Sequence, residues 1–350
     1  MTRHPPHEPR ADVPLTVIVP AYNEADHVAE TVRSILGQSV AVAEVLVVDD
    51  GSTDETGAQA RAAGATVLRP PKNTGSKAGA QNYALPHVAT PLTMAIDADT
   101  TLDRHAIRNL LPALDEPHVA AACGFVVPRH IRTLWERGRH VEYLFAFGFY
   151  KSIQDYFGRP LIASGCFSVY RTAVLRAAGG WPTRTLTEDM DLTWSLYRQG
   201  HGVRFIPQAV CYPVEPHDFA FMRRQLRRWS HGFVQNVRLH ARALLHIPYL
   251  RTFVGAALWD AAVASLMYVL LLPLLAVWVS PLFLLGYVVD AAVVMVPVAV
   301  SAWQRHELRK AVAGMPGFFV LRAVNAWFML EALWTELIAR RPLTKYEKGH

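Results

Sequence analysis

The chain has 350 residues, 51% of them hydrophobic, with 35 Lys and Arg against 29 Asp and Glu, a formal charge of +6 and a pI near 9.3. That apolar content excludes an intrinsically disordered chain and leaves material for one large domain or two smaller ones. Three cysteines without a close pair, Cys123, Cys166 and Cys211, fit neither a disulfide framework nor a thiolate zinc site, so a reducing, cytosolic setting is expected for the domain that holds them.

Residues 1–13 carry basic side chains but no apolar segment behind them, which excludes a secretory signal and leaves a disordered lead-in. "LTVIVP" (Leu15 to Pro20) then predicts a buried strand, and Val28, Val32, Ile35 and Leu36 recur at helical spacing. "VLVVDD" (Val45 to Asp50) reads as a second strand, "DETGAQARAAG" as a helix and "TVL" as a short third strand. A helix at "KAGAQNYAL", a strand at "LTMAID" and a helix at "RHAIRNLLPAL" follow. This rhythm implies an α/β fold whose central sheet is mainly parallel and covered on both faces. Such sheets bind ligands at the carboxyl ends of their strands.

"TEDMDLTW" (Thr187 to Trp194) sets three acids among eight residues of a basic chain. Thr187 suits a helix N-cap, and Glu188 and Asp189 in the first turn complement the macrodipole. Met190, Leu192, Trp194 and Leu196 supply an apolar side, with Asp191 and Arg198 left for solvent. By itself the stretch is an ordinary helix start.

Between Phe219 and Arg251 stand seven arginines (Arg223, Arg224, Arg227, Arg228, Arg238, Arg242, Arg251) and no acid, which accounts for the whole net charge. From Thr252 to Trp303 the only charged residues are Asp260 and Asp290, predicting two transmembrane helices, roughly Phe253 to Val279 and Leu282 to Trp303. The segment Phe318 to Ala339 is apolar but holds Arg322, Glu331 and Glu336; a crossing there turns these charges to a protein interior. The positive-inside rule puts the arginines before the first span and "QRHELRK" after the second in the cytosol. The basic tail "RRPLTKYEKGH" obeys that rule only if the third segment lies in the interface or re-enters.

"PAYNE" (Pro20 to Glu24) ends the first strand and "DDGSTDET" (Asp49 to Thr56) the second, both on the ligand-binding edge. At the end of "LTMAID" come Asp97 and Asp99, two carboxylates one residue apart, whose oxygens suit a hard cation serving a phosphate. His201, His217 and His231 lack metal-ligand spacing and read as structural or solvated. Gly75, Ser76 and Lys77 do not make a P-loop.

In this order "VIVPAYNEADHVAETVRSI", "VLVVDDGSTDET", "NTGSKAGAQNYAL", "AIDADT", "ASGCFSVYR", "TEDMDLTW" and "QLRRW" resemble the family 2 glycosyltransferases over Pro14 to Leu245, most closely the membrane-bound poly-N-acetylglucosamine, hyaluronan and cellulose synthase type. The resemblance implies a nucleotide-sugar-binding glycosyltransferase A-type domain in the cytosol at 14–217. An amphipathic interfacial region bearing QxxRW follows at 218–251, then a transmembrane region of two or three helices at 252–339 and a basic tail at 340–350. It assigns donor contacts to Pro20, Ala21, Tyr22, Glu24, Asp50, Lys77, Asp97, Asp99, Gln225 and Arg228, with Mg²⁺ or Mn²⁺ on Asp97 and Asp99. Asp189 becomes the general base, and Glu188, Trp229, Gly165 and Cys166 the acceptor contacts. Arg228, supported by Gln225, meets the leaving diphosphate, while Arg223, Arg224, Arg227, Arg238 and Arg242 lie along an anionic leaflet.

The implied function is inverting transfer from a UDP-sugar, UDP-N-acetylglucosamine first, to a growing polysaccharide. The alternatives are a single transfer to a lipid acceptor and a catalytically silent membrane sugar-binding or scaffold protein. Implied partners are the UDP-sugar, a glycan or lipid acceptor and membrane lipids. The related synthases typically carry membrane helices before the catalytic domain as well, so two or three spans here also point to a homo-oligomer or a membrane partner subunit. Nucleic acid is not expected, because the arginine run adjoins membrane helices and lacks a recognised binding module.

Overall fold

The computed structural model describes residues 12–344, so the expected lead-in as far as residue 11 and the last six residues of the basic tail lie outside the described residues. Five strands and four helices alternate through the first half: β1 (Asp12–Ala21), α1 (Val28–Leu36), β2 (Ala41–Asp49), α2 (Thr56–Ala62), β3 (Thr66–Leu68), α3 (Lys77–Ala84), β4 (Leu92–Ile96), β5 (Thr100–Leu102) and α4 (Ala106–Leu110). β6 (Val119–Val126), α5 (Leu134–Phe145), a π-helical turn (Ala146–Lys151), α6 (Ser152–Tyr156), β7 (Phe167–Arg171), α7 (Thr172–Ala177), α8 (Glu188–Arg198), β8 (Gly202–Pro213) and α9 (Phe219–Leu244) follow.

Eight strands form one sheet in the order β3-β2-β1-β4-β7-β6-β8-β5. The half built by the alternating segments is parallel, as expected. Beyond β4 the directions vary: β6 and β8 are parallel, but β7 runs antiparallel to both β4 and β6, and β5 antiparallel to β8, which makes the sheet mixed. A parallel neighbour requires a crossover packed on the sheet. Between β6 and β7 the chain instead leaves the sheet through α5 and α6 and returns in the opposite direction.

Period-two alternation divides β1 between two cores. Leu15, Val17 and Val19 join Val28, Val32 and Ile35 of α1 on one face, with Ile107 and Leu110 of α4. Ile18 faces the other way, toward Ala80 of α3, Trp194 of α8 and Phe233 of α9. Branched side chains of β1, β2 and β4 are thereby removed from water on both sides, as their near-continuous apolar runs demand.

Three apolar helices close the chain: Leu250–Trp278, Pro281–Gln304 and Leu308–Ile338, each long and apolar enough to cross a membrane. The first two form a hairpin at Ser280 and Pro281, and Val277, Trp278, Leu282, Val288 and Val289 around it stand exposed. The third behaves differently. It touches the sheet domain along its whole length, from Gly314 and Gly317 against the backbone of α5, through Asn325 bonded to Glu142 (2.8 Å), to Glu331 and Glu336 bonded to Arg227 and His231 of α9 (3.0 and 2.8 Å). Arg322, Glu331 and Glu336 face protein, Arg322 meeting Asp290 of the second helix, while Arg309 and Lys310 in the first turn are exposed.

Candidate active site

The strand-end loops are tied to one another before any ligand arrives. Asn23, in the left-handed region at φ 52°, donates its amide to Ser52 Oγ (3.0 Å) and accepts from the Thr53 amide (2.9 Å). The Glu24 amide donates to Thr56 Oγ1 (2.7 Å), so "PAYNE" and "DDGSTDET" form one ledge. Gly51 turns there at φ 83°, a conformation glycine adopts without strain. Behind the ledge, buried Asp50 accepts from the Thr74 amide and hydroxyl, both at 2.8 Å. Burial pushes the Asp50 carboxyl up, with these two hydrogen bonds opposing.

Lys77 opens α3 behind the N-cap Ser76, whose hydroxyl accepts from the Gly79 amide (3.1 Å). Its ammonium gathers three segments: 2.5 Å from Asp97 Oδ1, 3.6 Å from Glu188 Oε1 and 3.0 Å from the Gly165 carbonyl, to which it donates. The Gly165 amide in turn donates to Asp189 Oδ2 (2.9 Å), while the Met190 amide donates to Asp189 Oδ1 (2.8 Å). Both oxygens of Asp189 are therefore fixed by backbone. A Cβ at Gly165 would sit 3.1 Å from both Asp189 Oδ2 and Lys77 Nζ, which explains a glycine between them. Burial pushes the neighbouring Glu188 carboxyl up, opposed by Lys77 and reinforced by Asp189.

Two expectations for this helix need correction. Thr187 stands at the N-cap position of α8, but its hydroxyl makes no cap bond and instead accepts from Asn236 Nδ2 of α9 (2.9 Å). Asp191 does not face solvent: it is fully buried, bonded to Arg184 Nε and Nη2 (both 2.8 Å) and to His240 Nε2 (2.8 Å). α9 packs across α8, so the side that periodicity left for water is covered. Burial raises the Asp191 carboxyl, but the bonds from Arg184 and His240 outweigh it and hold the group low.

A cleft of about 1260 Å³ collects the pieces. All fifteen residues singled out in the sequence line it: Pro20, Ala21, Tyr22, Glu24, Asp50, Lys77, Asp97, Asp99, Gly165, Cys166, Glu188, Asp189, Gln225, Arg228 and Trp229. Among the described residues no group of three or more His, Cys, Asp or Glu side chains could hold a metal. Asp97 and Asp99 alone suit a cation that keeps waters and completes its shell with substrate phosphates, the habit of Mg²⁺.

Residues 11–232 match the model of the "Glycosyltransferase like family 2" domain, more than half of the chain. The chain belongs to glycosyltransferase family 2. Among curated relatives, it is 24% identical over 222 residues to a poly-beta-1,6-N-acetyl-D-glucosamine synthase of Staphylococcus aureus (62% of this chain, 54% of the relative). It is 25% identical over 229 residues to the synthase of that name from Staphylococcus epidermidis, with the same coverage. The chain thus spans about half the length of these curated relatives. A solved mannosyltransferase from Pyrobaculum calidifontis, in complex with GDP-Man and Mn²⁺, shares the fold at a TM-score of 0.61 and 22% identity, over 97% of this chain and 90% of that one. This family 2 glycosyltransferase is therefore a transferase of glycosyltransferase A-type fold, with three apolar helices behind its catalytic domain.

The structure adds residues to this transferase's cleft that the sequence did not mark. Arg139 of α5 is fully buried beneath the QxxRW segment. Its Nη2 donates to Gln225 Oε1 (2.6 Å), its guanidinium lies 4.8 Å from the Trp229 ring centroid, and it pairs with Glu142 and with Glu215 (3.3 Å). Tyr143 donates its hydroxyl to Glu215 Oε1 (2.6 Å). Burial pushes the Glu215 carboxyl up to about 7, against the lowering effects of Arg139 and Tyr143. Gln225 thus faces Arg139, while the positive charge of Arg228 opposes the rise of the Glu188 carboxyl. Arg227 reaches Glu331 of the third apolar helix (3.0 Å), whereas Arg223, Arg238 and Arg242 are exposed. Nothing in "LWERGRHVEYLF" tells which of Arg137, Arg139 and His140 turns inward, because the helical face is chosen by α9 and the third apolar helix, distant in sequence.

Proposed function

We propose that this enzyme transfers a sugar with inversion from a UDP-sugar, UDP-N-acetylglucosamine first, to a growing polysaccharide at the cytosolic face of a membrane. The carrying observation is Asp189, aimed into the cleft with both oxygens fixed by backbone amides, between the Lys77 cluster and Trp229. In this reading Asp189 takes the proton of the acceptor hydroxyl as that oxygen attacks the anomeric carbon, and the diphosphate leaves from the opposite face. A positioned base of this kind contributes about 10²- to 10⁴-fold. Arg228 offsets charge on the departing diphosphate by charge-assisted hydrogen bonds. Mg²⁺ or Mn²⁺ on Asp97 and Asp99 supplies further positive charge there when bound. Asp50 holds the nucleotide on the ledge with Pro20, Ala21, Tyr22 and Glu24, and Trp229 packs against the acceptor sugar with Gly165, Cys166 and Glu188 around it. The names of the curated relatives favour N-acetylglucosamine.

For the membrane, the reading is a two-helix hairpin that crosses and a third helix that lies along α5 and α9 at the surface. This returns the C-terminal tail to the cytosolic side and satisfies the positive-inside rule at all three basic segments. The same layout favours a second reading of the acceptor, a lipid that receives one sugar, because the cleft continues between apolar helices.

UDP release by detergent-solubilised enzyme against a panel of UDP-sugars, with Mg²⁺ or Mn²⁺ and beside Asp189→Asn, tests the reading, with product sized by mass. Metal-dependent release with one donor, lost in the variant, is expected. A ladder of products means polymer and a single addition means the lipid reading. Donor binding without release, even in restored membranes, would point to a silent fold and overturn the proposal.

A further inference from the structure

The cleft does not end at Trp229. It runs on between α5 and the apolar helices, and its far wall carries Asp260 of the first, Asp290 of the second and Arg322 of the third. Arg322 Nε and Nη2 donate to the two oxygens of Asp290 (2.7 and 2.6 Å), Nη2 lies 3.8 Å from Asp260 Oδ1, and the guanidinium stands 5.9 Å from the Tyr268 ring centroid.

An ionisable side chain within an apolar span is costly and marks a functional site by default. A pin between two helices uses one acid per arginine; here there are two, and Asp290 alone already satisfies the Arg322 fork. The side chain of Asp260 is 68% exposed although it lines the cleft, so much of its carboxylate is open to an occupant. The first apolar helix is also distorted at this level. Asp260–Ala264 and Met267–Leu271 are π-helical turns, a geometry frequent at functional sites, and Asp260, Ser265 and Tyr268 stand on the cleft wall there.

Charge decides what fits. Two carboxylates against one guanidinium leave a net negative wall, which repels a phosphate. A neutral group rich in hydroxyls suits it: the carboxylates accept from O–H groups, and the Tyr268 ring offers an apolar face to the C–H side of a sugar. We propose that Asp260, Arg322, Asp290 and Tyr268 form a subsite for a neutral sugar ring, the part of the acceptor that lies beyond the attacking hydroxyl. The proposal rests on reading the cleft as a sugar-transfer site. The ring belongs either to a glycan chain or to a glycolipid headgroup.

The test is calorimetric titration of the full chain in phosphatidylcholine nanodiscs, without donor, using a β-1,6-linked N-acetylglucosamine pentasaccharide, octyl glucoside and farnesyl phosphate as probes. One of the two sugars is expected to bind, the pentasaccharide meaning a glycan and octyl glucoside a glycolipid. Asp260→Asn and Tyr268→Leu, which leave the Arg322–Asp290 pair intact, should each weaken that binding at least tenfold. The double exchange Asp290→Arg with Arg322→Asp restores a pair between the helices and controls for folding. Unchanged affinity in both single variants, or binding of farnesyl phosphate in preference to both sugars, overturns the proposal. UDP release from UDP-N-acetylglucosamine and the other UDP-sugars is measured on the same preparation. Sugar binding without UDP release counts against the transfer reading and leaves the subsite standing, whereas UDP release without sugar binding removes the subsite alone.

Discussion

The donor-side edge of the sheet and the layer that faces the apolar helices are built by opposite means. At the edge, contacts run within a motif or between loops a few tens of residues apart: Asp49 with Ser52, Asp50 with Thr74, Glu24 with Thr56. In the membrane-side layer the partners are Arg139 with Gln225, Arg227 with Glu331, His231 with Glu336 and Glu142 with Asn325, separated by 86, 104, 105 and 183 residues. The edge uses backbone amides and hydroxyls to aim carboxylates, whereas the layer uses buried ionic side chains to hold helices together. Chemistry therefore depends on the first region and integrity on the second, and single substitutions should separate them.

The largest effect belongs to Asp189→Asn. The amide keeps an oxygen for one of the Gly165 and Met190 amides, leaves the other without its acceptor and cannot take a proton, so transfer should fall by about 10²- to 10⁴-fold with donor affinity unchanged and the thermal midpoint only slightly lowered. Steady-state UDP release and differential scanning fluorimetry on the same preparation check it. A matching loss of stability would mean that Asp189 belongs with the structural layer instead.

Arg139→Met should act the other way round. It leaves buried Glu215 and half-buried Glu142 without their shared cation and releases Gln225 and Trp229 from below. Removing one partner of a buried ionic set costs about 3–5 kcal/mol. The expected result is a large drop in thermal midpoint, and in whatever folded fraction remains a raised acceptor KM with donor affinity kept. An unchanged midpoint would show that the layer is not held by this residue.

Legibility in the sequence followed the same division. β1, β2, β3 and β4 were readable because period and motif are local, and Asp97 and Asp99 stand one residue apart at a strand end, whereas Asp189 was marked by the family resemblance and not by its spacing. The antiparallel return of β7 was not readable, because it depends on where the excursion through α5 and α6 goes. Asp191 was misread as solvent-facing because its cover, His240 on α9, lies 49 residues away. Arg139 and Glu215 carried no mark at all: a charged residue in a helix or a loop looks the same whether it is buried under a distant partner or solvated.

Glu215 gives a pH signature to the membrane-side layer. Its carboxyl, ordinarily near 4.5, sits at about 7 in the folded chain, so between those values the folded state holds a proton that the unfolded state has released. Stability therefore declines as pH rises from about 4.5 to 7, by at most about 3 kcal/mol, and this contribution is level on either side of that window. Thermal midpoints across pH 5 to 8 should show the decline in the parent, and Glu215→Gln should flatten it. A slope that persists in the variant would assign it to another group.

The smallest effects come from a pair of glycines in the apolar helices. A Cβ on Gly317 would stand 2.3 Å from the Leu134 carbonyl oxygen and 2.9 Å from the Gly138 nitrogen, backbone atoms that cannot swing aside, so Gly317→Ala must part the third helix from α5. Overpacking of this kind costs about 1–3 kcal/mol. Gly255, in the first apolar helix, has nothing within 4 Å of the same position, and Gly255→Ala should be neutral or stabilise by up to about 1 kcal/mol through helix propensity. If the third helix is locked to the sheet domain, Gly317→Ala also loosens Asn325 from Glu142 and Glu331 from Arg227, and hydrogen exchange in α5 and α9 should rise together while that of β1 and β2 stays put. Equal behaviour of the two alanine variants would instead mean that the third helix moves independently of α5.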